Sequence, residues 1–155
     1  MSAITFLNAD DVETVHARMI AEYGGSDGLR DRGLLESAAA MPFATFGGQF
    51  LHEGLPTMAA AYLFHLCKNH PFVDGNKRVA LASAIAFLLL NGHELIASKA
   101  EAEELTLGVA DSSISKEDAV MFFRKQVRKA KQAGSRSRTP VKPAKRTPPR
   151  RKKKG

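Results

Sequence analysis

The run Val79–Leu90, VALASAIAFLLL, constrains the fold more than any other stretch of this chain. It carries no charge, and Ser83 is its only polar member. Crossing a bilayer takes about 20 apolar residues, so the run is too short to span one. A helix apolar on every side does not suit a protein surface either; it needs other helices around it. The run therefore predicts the central helix of an all-α bundle, ended by Asn91-Gly92. Its four alanines and its serine let neighbours approach, while Ile85, Phe87 and the leucines fill volume. Each large side chain buried there contributes roughly 1.5–3 kcal/mol.

The flanking sequence supplies those neighbours. Val12, Val15, Met19, Ile20 and Tyr23 recur at helical spacing from about Ala9, with Asn8 placed to cap and Gly24-Gly25 to stop the helix. His16 shares that face and reads as a hydrogen-bonded core histidine. After the turn-rich SDGLRDRG, LLESAAA forms a short helix closed by Pro42. Residues 43–54, FATFGGQFLHEG, alternate aromatic and small residues about Gly47-Gly48, which predicts a small β-hairpin flap. Pro56 suits the first turn of a helix reaching about Asn69. Ser98 with Glu101 and Ser115 with Asp118 open two more helices, the last carrying Val120, Phe123 and Val127.

The 155 residues suffice for one core. Cys67, the single cysteine, cannot form an internal bridge; it reads as a buried small hydrophobe in a reducing compartment, and a cytoplasmic location is expected. The opening MSAITFLNADD lacks the basic and apolar segments of a signal peptide. The net charge of +7 conceals a division. Residues 1–123 hold 8 Lys or Arg and 16 Asp or Glu, net −8, whereas residues 124–155 hold 15 Lys or Arg and no acid, net +15. The expected organisation is a folded domain over 1–131 and a disordered basic tail over 132–155, where Val141 is the one large apolar residue.

Between two apolar helices lies NHPFVDGNKRVA, residues 69–80. Pro71 ends helical geometry just after His70. Phe72 can anchor the loop in the core. Asp74 or Asn76 can cap the next helix, and Gly75 permits a backbone that other residues resist. The first turn of that helix offers free N–H groups beside Lys77 and Arg78, an anion site that suits phosphate. Asp74 would repel phosphate unless a cation intervened, so it is a candidate Mg²⁺ ligand. His70 is a candidate base for an attacking hydroxyl. Simpler readings exist for each residue: a plain N-cap, a solvated cationic patch, a histidine at a helix C-terminus. Their coincidence directly before so apolar a helix favours a site for phosphoryl or nucleotidyl transfer. The loop is not a Walker sequence, since the Lys-Ser/Thr pair is missing. Nor do His65 and His70, five apart, have zinc-ligand spacing.

HPFVDGNKR closely resembles the signature of the Fic/Doc (Fido) superfamily, in its death-on-curing branch of toxins from toxin–antitoxin pairs. YGGSDGLRDRGLLESA, PFATFGG, AAAYLFHLCKNH and LASAIAFLLLNG resemble the same branch, so the likeness covers roughly residues 4–128. It implies a Fido-type all-α bundle with a small β flap. It also implies that His70 is the general base, Asp74 the Mg²⁺ ligand, Gly75-Asn76 and the following amides the anion cradle, and Arg78 a phosphate contact. Phe72 would be the buried anchor, and the flap (Phe43, Phe46, Gly47, Gly48) would align the target by backbone pairing. AMP-transferring members carry glycine where this chain has Lys77. The Doc-like GNKR pattern implies a reversed ATP and γ-phosphoryl transfer to a threonine or serine of an elongation factor Tu-like protein. Gly75, where a Doc-like member can carry alanine, is the more Fic-like choice and keeps AMP transfer as an alternative. An inhibitory S/T-x-x-x-E-G/N helix is not convincingly present: Ser113 and Glu117 have the spacing, but Asp118 follows. Restraint by a cognate antitoxin is therefore expected. A non-enzymatic nucleic-acid- or ribosome-binding helical protein is the remaining alternative, favoured by the tail and opposed by the acidic body.

Overall fold

The structure, a computed structural model, describes residues 3–131. The expected tail, 132–155, lies outside the described residues. Helix α1 (Ala9–Tyr23) starts at Asn8 with a complete capping box: Asn8 accepts from the Asp11 amide, and Asp11 accepts from the Asn8 amide. Helix α2 (Arg32–Ala40), capped by Asp31, runs into a single 3-10 turn at Met41–Phe43 that holds Pro42. Strands β1 (Thr45–Phe46) and β2 (Gln49–Phe50) form the flap, paired Thr45 to Phe50 and Phe46 to Gln49. Gly47 and Gly48 both have positive φ (60° and 81°), as a tight two-residue hairpin turn demands.

Helices α3 (Leu55–Asn69) and α4 (Asn76–Leu90) flank the polar loop and pack along each other. The central helix is α3, which corrects the expectation for Val79–Leu90. Residues 57–63, with Leu66 and Cys67, are buried, and α3 packs on α2, α4, α5 and α6. Its three consecutive alanines, Ala59 to Ala61, admit neighbours on every side. In contrast, α4 leaves Leu89 and Leu90 exposed and Leu81 and Ile85 half-buried. Apolarity on all faces does not force complete enclosure, because folded proteins keep much apolar surface in water. Tyr62 ties α3 to the N-terminal segment: its hydroxyl donates to the Leu7 carbonyl at 2.9 Å and accepts from the Leu7 amide at 2.7 Å.

Helices α5 (Lys99–Ala110) and α6 (Lys116–Gln126) begin at the expected serines. Ser98 and Glu101 complete their box, while Ser115 accepts from the Asp118 amide. Val127 does not extend α6. It opens strand β4 (Val127–Lys129), antiparallel to β3 (His93–Leu95), with Arg128 bonded to Glu94 at 3.0 Å. This pair was not expected. Each strand is three residues long, and the partners are far apart in sequence. Among the described residues no helix is long and apolar enough to cross a membrane.

Candidate functional site

The loop between α3 and α4 is built from both ends. His70 is the C-cap of α3, in the left-handed region at φ 52°, ψ 54°. A histidine rarely adopts that conformation, which must be held by its surroundings. Arg30 holds it: Nε donates to the His70 carbonyl at 2.7 Å and Nη2 to the Asn69 carbonyl at 3.1 Å. The Pro71 carbonyl accepts from the amides of Arg30 and Asp31, Leu29 bridges to Phe72, and the Val73 amide donates to Gly28. The α1–α2 connection is thus the second wall of the loop. Phe72 is fully buried, as expected of an anchor.

Asn76 occupies the first turn of α4, but its side chain turns back. Oδ1 accepts from the Phe72 amide and Nδ2 donates to the Phe72 carbonyl, both at 2.9 Å. Neither Asp74 nor Asn76 caps α4. Gly75 is the N-cap residue, with φ 79° and no side-chain bond to the helix. The first amides of α4 therefore lack capping partners, as an anion cradle requires. Lys77 and Arg78 are exposed at that turn. The Arg78 guanidinium lies 5.2 Å from the centre of the Tyr23 ring and 3.5 Å from the Gly24 carbonyl, so the end of α1 orients it.

Asp74 is exposed, and its two oxygens accept from Ser26 N–H at 3.0 Å and Gly75 N–H at 2.9 Å. These bonds, the Ser26 one foremost, hold its carboxyl below the usual range, assisted by Arg78 and His16. Gly25 makes room for that seat: a Cβ there would stand 2.7 Å from Asp74 Oδ2. An ionised, outward carboxylate with spare lone pairs fits Mg²⁺. Among the described residues no three His, Cys, Asp or Glu cluster as a metal cage. This too fits Mg²⁺, which commonly keeps waters and substrate phosphates around one or two carboxylates.

The structure brings His70, Phe72, Asp74, Gly75, Asn76, Lys77 and Arg78 together on one loop and helix start. The flap is rooted elsewhere. Rings of Phe43 and Phe50 pack on Phe6 at 5.5 and 5.8 Å, and Phe6 stacks on Phe87 of α4 at 5.7 Å. Phe46 stands free at 81% exposure, and Gly47 and Gly48 form the tip. A surface cavity of about 560 Å³ between α5 and α6, lined by Glu101, Glu104, Ile114 and Phe122 among others, shares no residue with the loop. Ser113 lies in the α5–α6 turn and Glu117 in the first turn of α6, so the pair forms no inhibitory helix. Cys67 is buried, and burial pushes its thiol up to about 11, as befits an inert core residue. Ser26 and Arg30 had no role legible in the sequence, and Gly25 only that of ending α1; the one further signal was their position in the segment YGGSDGLRDRG.

A helical bundle with this loop at the start of an apolar helix defines a class. The model of the Fic/DOC family matches residues 6–88, and the chain belongs to that family, within its Doc branch. It is 47% identical over 92 residues to Toxin Doc of Mycolicibacterium smegmatis, covering 59% of this chain and 68% of that one. It is 33% identical over 109 residues to Protein kinase doc of Escherichia phage P1, covering 70% of this chain and 85% of that one.

Proposed function

We propose that this chain is a toxin-type kinase that moves the γ-phosphoryl group of ATP to a threonine or serine hydroxyl of an elongation factor Tu-like protein. Kinship with Doc proteins gives it transferase-type chemistry. The kinase reading draws on the name of the phage relative, a protein kinase, and on Lys77, where AMP-transferring members have glycine. The observation that carries it is the uncapped start of α4 with Asp74, Lys77 and Arg78 around it. When bound, Mg²⁺–ATP supplies the phosphoryl group and offsets the charge of Asp74.

The chain's own residues do the rest. Asp74 holds the cation, seated by Ser26 and Gly75. The amides at the start of α4 receive phosphate oxygens, and Lys77 and Arg78 add positive charge. His70, exposed at the end of α3, takes the proton of the target hydroxyl. The flap positions the target segment alongside an edge strand. Restraint comes from a cognate antitoxin. Ten Lys or Arg in residues 132–155 favour a second contact, with RNA or the ribosome.

The test supplies the full chain with Mg²⁺, elongation factor Tu and ATP labelled at the γ or the α phosphate. Label from γ on the target supports the kinase, label from α establishes AMP transfer instead, and label from neither rejects both. His70→Ala should lower turnover by roughly 10²–10⁴-fold with the fold intact. In the same assay Lys77→Gly should lose γ transfer; undiminished transfer would show that lysine does not set the nucleotide's direction.

A further inference from the structure

The Asp74–Gly75 peptide unit is held at both ends. Its carbonyl oxygen lies 2.7 Å from Nε2 of His16, and its N–H donates to Oδ1 of Asp74 at 2.9 Å. A carbonyl can only accept, so the proton of the first bond sits on Nε2. The imidazole has one place to be. It is 3% exposed and lies flat on Phe72, with ring centres 3.8 Å apart and planes at 5°. Across from Nε2, a Cβ at residue 75 would stand at 3.4 Å, so the ring edge also fills the space beside Gly75.

Gly75 makes such a hold necessary. Reversing the peptide before it exchanges two turn geometries that differ chiefly in the sign of φ at the following residue, and glycine accepts both signs. In the observed orientation φ is 79°. Reversal would withdraw the N–H from Asp74 and bring a carbonyl oxygen toward its carboxylate. The Ser26 bond alone would then oppose that repulsion.

We propose that His16 is a positioning residue: it latches the Asp74–Gly75 peptide in the orientation that seats the Asp74 carboxylate for its cation. This rests on the reading of Asp74 as the cation ligand. His16 acts through a backbone group and touches neither nucleotide nor target.

The experiment compares the full-length wild type with two variants. His16→Phe keeps a ring on Phe72 and removes the donor; His16→Gln returns an N–H at similar reach. Two quantities are read: hydrogen exchange of the Gly75 amide by NMR without ligand, and the MgCl₂ concentration needed for ATP binding. H16F should exchange roughly tenfold faster at Gly75 and need about tenfold more MgCl₂, the factor that loss of one hydrogen bond produces. H16Q should return both toward wild type. Unchanged exchange in H16F, or H16Q impaired as fully as H16F, would overturn the latch. Where H16F fails to fold, His16→Asn, whose amide is too short to reach, takes its place. If the wild type binds no ATP with MgCl₂, the cation-site reading fails, while exchange at Gly75 still decides whether the latch exists.

Discussion

Asn76 acts on the loop as a strand partner acts on its neighbour. Its amide oxygen and nitrogen satisfy the N–H and C=O of Phe72, while the residue is 5% exposed. Removing it leaves two buried backbone groups unpaired, each costing about 1–3 kcal/mol. Asn76→Ala should therefore lower the unfolding free energy by about 2–4 kcal/mol, read from denaturant midpoints at constant m-value. Asn76→Asp, which still accepts from the Phe72 amide but sets a buried carboxylate oxygen against the Phe72 carbonyl, should lose at least as much. Equal stability of N76A and wild type would mean that Phe72 finds other partners. The sequence made these residue types legible as a candidate site, because charge and glycine between apolar helices are costly without a task. It did not show where Asn76 points. Cap, cradle and clasp all use the same residue at that position, and only the fold selects the clasp. What Gly25, Ser26 and Arg30 do for the loop was hidden for a related reason, as their partners lie 39 to 49 residues away along the chain.

Among the elements, α6, α3 and the segment after the flap meet at one lysine. Lys116 Nζ donates to His52 Nε2 at 2.7 Å and to His65 Nε2 at 3.0 Å, so both imidazoles must be unprotonated at those nitrogens. Burial first, and the Lys116 charge next, push both histidines down, His65 to about 4. An unfolded chain would protonate them near 6.5. Between those values the unfolded state binds more protons, so stability rises with pH there. The contribution is complete above about 6.5 and is lost as pH falls toward 4. Asp74 and Asp111, both depressed, lose theirs only below the ordinary carboxylate value of 3.8, outside this window. The melting temperature should fall by a few degrees, on the order of 2–5 °C, from pH 7 to pH 5. Lys116→Met should make that slope shallower, leaving the part that burial sets; an equal slope in the variant would remove Lys116 as a contributor. This junction was illegible in sequence, as was the β3–β4 pair, because each joins segments distant along the chain. What was legible was local: the Asn8 and Ser98 caps, Pro56 opening α3, and the glycine turn of the flap.

At the scale of the whole molecule, charge divides along the sequence. The described residues 3–131 carry 13 Lys or Arg and 16 Asp or Glu, whereas residues 132–155 carry ten Lys or Arg and no acid. Every residue assigned to the proposed transfer site lies within residues 3–131, so a chain ending at Lys131 should fold and transfer the phosphoryl group at the wild-type rate. A weakly acidic domain repels a polyanion, and the terminal cations attract one. Phosphate contacts release counterions, so affinity for single-stranded RNA should fall with salt by a log–log slope of about −0.7 per phosphate neutralised. Fluorescence anisotropy with poly(U) at several salt concentrations should give a steep slope for the full chain and negligible binding for the chain ending at Lys131. Equal affinity of the two would assign RNA contact to the folded domain, against its charge, and would leave the basic residues with no part in it. Loss of binding together with unchanged phosphoryl transfer would show that RNA contact and chemistry belong to separate parts of the sequence.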